Sequence, residues 1–454
     1  MLDWHWLYDG GCLVRKPRFG HSGFTFVAAV KQGEEAALRQ KLIALRENSA
    51  SPGLQLQNFE EVHFSAFLLI CIEGEINLIY EGNIDGKIAD FFRRLVANDI
   101  NGLDYLLNHC EGYPGPDRET YLKNHDCGFS VFYVGAPGRK VSQIRSEQLM
   151  RESVEIMVDA VPPKDSPRNG RHKIVSHVQT EFPDLMGAFK RPWLVLHGQR
   201  VFNAWPLYVV ALAVLFVLVA ILMSKALGAS QFVAVMIGLV ALFLFALGSF
   251  GLFKFLYVKF LAEEMKEVPS PDNAAQRPRV VNIIEGEDRG ISNHFASLTI
   301  IKPNFLRRFL VRAVLFFIDL AALFFENKGT LSGIPAIHFA RWVVLKKDRL
   351  LFLTNYGGSW ESYLNDFIEK GHDGLTAVWS NSIGFPPSDH LTQGGATHEQ
   401  EFKNFARNSQ PETLYWYQAY PELTTSNIEN NTRIREGLVG DMSDEEATQW
   451  LSRF

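Results

Sequence analysis

Two histidines stand at matching points of this 454-residue chain. His63 opens the run VHFSAFLLI and His338 opens IHFARWVVL, each followed directly by a phenylalanine. An imidazole can serve as a base, an acid or a metal ligand, although its two nitrogens satisfy backbone groups just as readily. Arg341 lies on the alternate strand face from His338 and offers an anion contact, but Ala66 takes the matching place in the first run, so that contact belongs to one copy. His63, Phe67, His338, Arg341 and Trp342 form the candidate ligand-binding set. Asp85, within Gly82-Asn83-Ile84-Asp85-Gly86, joins His63, His338 and Arg341 as a catalytic candidate. Its simpler role is to place negative charge at the start of the following helix, with Asn83 and Gly86 shaping the turn. His109, Cys110, His125 and Cys127 are residue types that zinc accepts, yet they lack the paired spacing of a zinc ribbon. The second half has Asn381 and Ser382 where His109 and Cys110 should fall, so no metal is expected there.

The elements that must position these residues are written twice. Asn83, Gly86, Gly102-Leu103 and Gly112-Tyr113-Pro114 recur at one spacing as Asn355, Gly358, Gly374-Leu375 and Gly384-Phe385-Pro386. Tyr133, Pro137, Ser142, Ile144 and Arg151-Glu152 recur as Tyr417, Pro421, Ser426, Ile428 and Arg435-Glu436. In the first copy GFTFVAAVK, an amphipathic EEAALRQKLIALREN, VHFSAFLLICIEG, EINLIYEG, a helix from Ile84 to about Asn108 and CGFSVFYVG read as β-α-β-β-α-β. The second copy follows that order through ASLTIIK, a helix near Phe305 to Phe325, IHFARWVVLK, RLLFLTNYGG, WESYLNDFIEKG and TLYWYQAYP. This is the ferredoxin-like arrangement, and two such sheets can pair as a pseudo-dimeric α+β barrel. Ser443 with Glu446 marks the capping box of a last helix. The helix at Phe305 to Phe325 differs from its counterpart: Arg308, Arg312, Asp319 and Glu326 fall on one narrow stripe and, Arg307 apart, the rest is apolar, which suits contact with a lipid interface or with a neighbouring apolar hairpin.

Between the copies, Ala204 to Ser224 are uncharged and, at 1.5 Å per residue, reach roughly 31 Å, enough to cross a bilayer core. A second uncharged run, Ala226 to Phe253, follows Lys225 and predicts a two-helix transmembrane hairpin. Lys190, Arg191, Arg200, Lys254, Lys259 and Lys266 flank it, which places both repeats and both termini in the cytoplasm. The expected division is 1–160 first domain, 161–203 linker, 204–258 hairpin, 259–290 linker, 291–440 second domain and 441–454 terminal helix.

Composition narrows the partners. Forty-five Lys and Arg against 50 Asp and Glu leave a net charge of -5, without the basic run of a nucleic-acid binder. Thirty-five Phe residues point toward lipid, and 4 Cys confined to the first half do not make a disulfide framework. No Gly-rich phosphate loop, nucleophile elbow or His-Glu-x-x-His motif occurs.

At IHFARWVVL, LTNYGGSWESYLNDFIEKG and AYPELTTSNIENNTRIREGL the chain resembles a bacterial family of membrane-attached proteins with duplicated ferredoxin-like domains. The first half resembles it less, through VHFSAFLLICIEG, CEGYPG and FYVGAPG. At the level of fold it is similar to the dimeric α+β barrel superfamily of dye-decolorising peroxidases and chlorite dismutases, and Gly82 to Gly86 matches the Gly-x-x-Asp-Gly string of those peroxidases. That resemblance implies haem, with His109 and His125 among the candidate ligands. The leading expectation is a bacterial inner-membrane protein whose cytoplasmic barrel binds an apolar or lipid-derived ligand at the bilayer. A haem peroxidase-like oxidoreductase and a scaffold are the alternatives, and a homo-oligomer stays open.

Overall fold

The computed structural model describes residues 17–47, 53–159, 166–187, 189–204, 277–345 and 348–454, with isolated positions between 207 and 269. The first half runs β1 (His21–Ala29), α1 (Glu35–Glu47), β2 (Val62–Ile72), β3 (Glu75–Asp85), α2 (Ile88–Asn98), α3 (Ile100–Leu107), α4 (Arg118–His125), β4 (Val131–Val134), α5 (Val141–Asp159), α6 (Pro167–Glu181) and α7 (Trp193–Asn203). The second runs α8 (Pro278–Gly286), β5 (Ser292–Ile300), α9 (Phe305–Phe324), β6 (Ile337–Leu345), β7 (Arg349–Gly357), α10 (Trp360–Lys370), α11 (His372–Trp379), a short ribbon of β8 (Ser388–Asp389) and β9 (Gln393–Gly394), α12 (Glu399–Ser409), β10 (Thr413–Gln418), α13 (Thr425–Glu436) and α14 (Asp444–Leu451).

The pleat sorts the side chains. On β3, Leu78, Tyr80 and Ile84 face the helices, whereas Ile79, Glu81, Asn83 and Asp85 face the other sheet. Pairing is antiparallel throughout and yields two four-stranded sheets, β1-β3-β2-β10 and β4-β6-β7-β5. The last strand of each half has therefore changed sheets. β10 lies on β2 with Trp416 opposite Ala66, and β4 lies on β6 with Phe132 opposite Arg341. Leu414 of the second half is buried among the first-half helices, and Val131 and Tyr133 of the first half are buried in the second-half core. Phe64, Ala66, Phe132, Phe339, Val343 and Leu351 fill the layer between the sheets. A separate cluster joins α5 and α6 to α13 and α14 through Met150, Ile174, Ile434 and Trp450.

This architecture corrects three expectations. The chain is α+β with antiparallel sheets, but neither half closes a ferredoxin-like unit by itself, because its sixth element completes the other sheet. Among the described residues no ladder joins the two sheets into a barrel, so they form the middle layers of a helix–sheet–sheet–helix sandwich. Among the described residues no helix is long and apolar enough to cross a membrane, so the two-helix transmembrane hairpin is withdrawn, and the bacterial inner-membrane placement goes with it. Apart from isolated positions, the run Ala204 to Phe253 on which it was placed lies outside the described residues. The helix expected from Ile84 to Asn108 is two helices, because the Asp99 side chain accepts the Gly102 N–H and caps a fresh start at Ile100. The capping box at Ser443 and Glu446 forms on α14.

Candidate functional site

The ends of three strands of the first sheet bring His21, His63 and Asp85 together. His21 begins β1 directly opposite Asp85, the last residue of β3. His63 sits where the β2–β3 register shifts between Val62 and Phe64, an irregularity of the kind that re-aims a side chain. His63 Nε2 lies 3.0 Å and His21 Nδ1 3.1 Å from the same oxygen, Asp85 Oδ1. One ligand atom from each residue falls within 4.8 Å of the others, the only such His, Cys, Asp or Glu group among the described residues. Both rings are buried, and Asp85, at 12% side-chain exposure, is the member that reaches solvent.

The neighbours fix the protons. The Gly138 N–H donates to His21 Nε2 at 3.0 Å, so the ring proton of His21 sits on Nδ1. That Nδ1 is close to Asp85 Oδ1 yet off line for a hydrogen bond, which leaves a buried polar atom without a proper partner. Burial pushes the His21 ring toward its neutral form, against the opposing pull of Asp85. The Tyr420 hydroxyl, 2.9 Å from His63 Nδ1, keeps its proton because burial raises it well above the ordinary tyrosine range. The remaining oxygen, Asp85 Oδ2, accepts the Val141 N–H at 3.0 Å, the first amide of α5. Burial alone would raise the Asp85 carboxyl, but the contacts from His21 and His63 outweigh it and hold the group well below the usual carboxylate range. Asp85 thus carries its charge at a helix N-terminus, although the helix is α5 and not α2 as the turn suggested.

The repeat shows what is particular to this end. By strand pairing and spacing, His21, His63 and Asp85 correspond to Ser292, His338 and Gly357. Only the histidine survives: His338 Nε2 lies 3.3 Å from Ser292 Oγ. The capping residues explain the lost carboxylate. α13 carries its own box of Thr424 and Asn427, whereas the matching position before α5 is Lys140, so α5 borrows Asp85 from β3. A Cβ on Gly357 would stand 3.3 Å from Thr424 Cγ2, so the self-capped helix occupies the space a longer side chain would need.

The remaining candidates disperse. Arg341 is buried and pairs with Glu81, with Nη2 donating also to Asn83 Oδ1 at 3.0 Å and Nη1 to the carbonyls of Phe24 and Gly82. Phe67 stacks on Tyr80 under the first-half helices, and Trp342 packs on Phe352 and Trp379 under those of the second half, both on the opposite sheet face from Arg341. His109 Nδ1 is held by Glu34 at 2.6 Å, while His125 Nδ1 bonds the Tyr121 carbonyl at 2.8 Å. Cys110 is buried and Cys127 half-buried, and neither joins a ligand group with these histidines. The described cavities, about 200 Å³ at Arg46, His294 and Trp416 and about 460 Å³ at Lys31 and Glu75, are lined by none of the predicted ligand-binding residues.

His21 and Tyr420 escaped the sequence reading. Repetition drew attention to His63, but Ser292 stands where a second His21 would be, and Tyr420 reaches His63 only because β10 crosses to the other sheet. No protein-family model matches the chain, and comparison with curated proteins and with solved structures finds no match. The resemblances to the bacterial family and to the peroxidases therefore rest on the quoted strings alone. Both oxygens of Asp85 are already engaged.

Proposed function

We propose that this chain binds one divalent first-row transition-metal ion through His21 Nδ1, His63 Nε2 and Asp85 Oδ1. The supporting observation is the convergence of two buried imidazole nitrogens on one ionised carboxylate oxygen, with one nitrogen lacking an aligned partner. Ligands held roughly 2.0–2.2 Å from a tetrahedral ion stand roughly 3.3–3.6 Å apart, so the two contacts to Asp85, at 3.0 and 3.1 Å, have to open by only a few tenths of an ångström to admit one. Two imidazoles and a carboxylate suit zinc, iron(II) or cobalt(II) better than calcium or magnesium. The surroundings supply an outer shell: Tyr420 orients His63, and the Val141 amide orients Asp85. This reading displaces the expected apolar ligand, because phenyl and aliphatic side chains occupy the layer between the sheets.

The His21 side must rearrange on binding. Coordination through Nδ1 moves the ring proton to Nε2, where the Gly138 N–H now points, so that contact is given up. An unpaired buried amide costs about 1–3 kcal/mol, which the bonds from the ion to two imidazoles and a carboxylate have to outweigh.

Titrating the full chain with cobalt(II) tests this, since tetrahedral coordination gives visible d–d absorption. One equivalent is expected to bind, with loss in His63→Ala and Asp85→Asn and retention in His338→Ala. Absence of stoichiometric binding at pH 7.5 would leave the second reading, which the Gly138 contact favours: a metal-free polar hub in which Tyr420, His63 and Asp85 are hydrogen-bonded in series beside His21 and fix the start of α5.

A further inference from the structure

α9 and α7 present apolar side chains outward as well as inward. Val311, Leu315 and Ala322 of α9 are buried, yet Phe305 is 78% exposed, Phe317 66%, and Phe309 and Phe316 each 45%. Phe305, Phe309 and Phe316 recur at spacings of four and seven, so they line one outer stripe of the helix. α7 packs against the end of α9 at Gly198, where a Cβ would come within 2.7 Å of the Phe324 carbonyl oxygen, and Phe202 meets Phe325 at 4.4 Å between ring centres. On the outer side of α7, Trp193 is 62% and Leu196 54% exposed. Large apolar side chains exposed together on two packed helices are uncommon on a monomeric soluble protein and mark a contact site.

We infer that the outer faces of α7 and α9 dock peripherally on an anionic lipid surface, with both helices lying along it. The charges around the patch select this partner. Lys190, Arg200 and Lys328 stand beside it without a carboxylate partner among the described residues, and Arg308 and Arg312 together face the single carboxylate of Asp348. The one acid on α9, Asp319, is turned inward onto Arg18 and the Phe132 amide. Glu326, just past the end of α9, accepts the Ser332 N–H, so cations outnumber acids at this edge; an apolar face of Phe, Leu and Trp with such a rim is the pattern of a helix seated at the headgroup boundary of an anionic bilayer. Docking of this kind needs no spanning helix. A second copy of the chain would bring these cations against their own image.

The test is flotation of the full chain, diluted from detergent, with phosphatidylcholine vesicles containing or lacking phosphatidylglycerol. The doubly substituted Phe305→Glu/Phe309→Glu and the charge variant Arg200→Gln/Lys328→Gln are compared with the parent, with circular dichroism as the control for folding. Expected are stronger binding to the anionic vesicles, a drop of ~tenfold or more in partitioning for the phenylalanine variant, and a smaller drop, confined to anionic vesicles, for the charge variant. Equal flotation of a folded phenylalanine variant overturns the inference, since some other part of the chain then holds the lipid. A vesicle-independent dimer that dissociates in that variant overturns it as well and assigns the face to a second copy.

Discussion

His338 has lost the carboxylate that His63 keeps, and its ring is correspondingly hard to charge. Burial, with His63 adding to it, pushes His338 down to about 3 from an ordinary 6.5. Above pH 6.5 the ring is neutral in both the folded and the unfolded chain, so it has no effect on stability. Between 6.5 and about 3 the unfolded chain takes up the proton and the folded one does not, so stability falls as the pH falls through that window. At 1.36 kcal/mol per unit this amounts to about 2 kcal/mol between pH 6.5 and 5. Urea midpoints should therefore drop over that range in the parent and drop less in His338→Gln. Parallel slopes in the two proteins would show that His338 is not the group responsible. The rings of Phe64 and Tyr420 and the Ser292 hydroxyl, none of them charged, are its neighbours.

Between elements, the decisive contact is the pair of Arg341 on β6 and Glu81 on β3, which ties one sheet to the other through fully buried groups. Removing one member of a buried pair leaves the other charged and unpaired, at about 3–5 kcal/mol, whereas replacing both by apolar groups is often close to neutral. Arg341→Met should accordingly lower the unfolding free energy by about that amount, and Arg341→Met/Glu81→Leu should recover most of it. A double variant as unstable as the single one would mean that the guanidinium matters chiefly through its bonds to Asn83 and the Phe24 and Gly82 carbonyls. The position of Arg341 on its strand face could be read from alternation. Its partner could not, because Glu81 belongs to a strand 260 residues away and its match in the repeat is the apolar Leu353.

In the whole molecule the exchange of β4 and β10 makes the two halves one folding unit. Residues 1–204 expressed alone keep β4 but lack the strand that covers β2, and residues 277–454 lack the strand that covers β6. Neither fragment is expected to give a dispersed amide NMR spectrum by itself, and mixing the two should restore one. Well-dispersed spectra from both separate fragments would show that each sheet closes without its exchanged strand. Truncating Leu414, a second-half side chain in the first-half core, should cost about 2–5 kcal/mol as Leu414→Ala and destabilise the first half directly.

The sequence by itself determined the principal strands of both copies, the helices after the first strand of each and the terminal helix at Ser443, because pleat alternation, helical spacing, turn glycines and capping boxes act over a few residues. It determined as well that His63 and His338 are equivalent and that Asp85 sits at a turn. Only the tertiary structure decided which sheet each last strand joins, that His21 and Tyr420 complete the site, and which helix Asp85 caps. Those outcomes depend on contacts between residues far apart in the chain, and the two copies share enough of their local pattern to offer similar strands to either partner. Burial between the sheets settles the choice, and with it the place where two imidazoles meet one carboxylate.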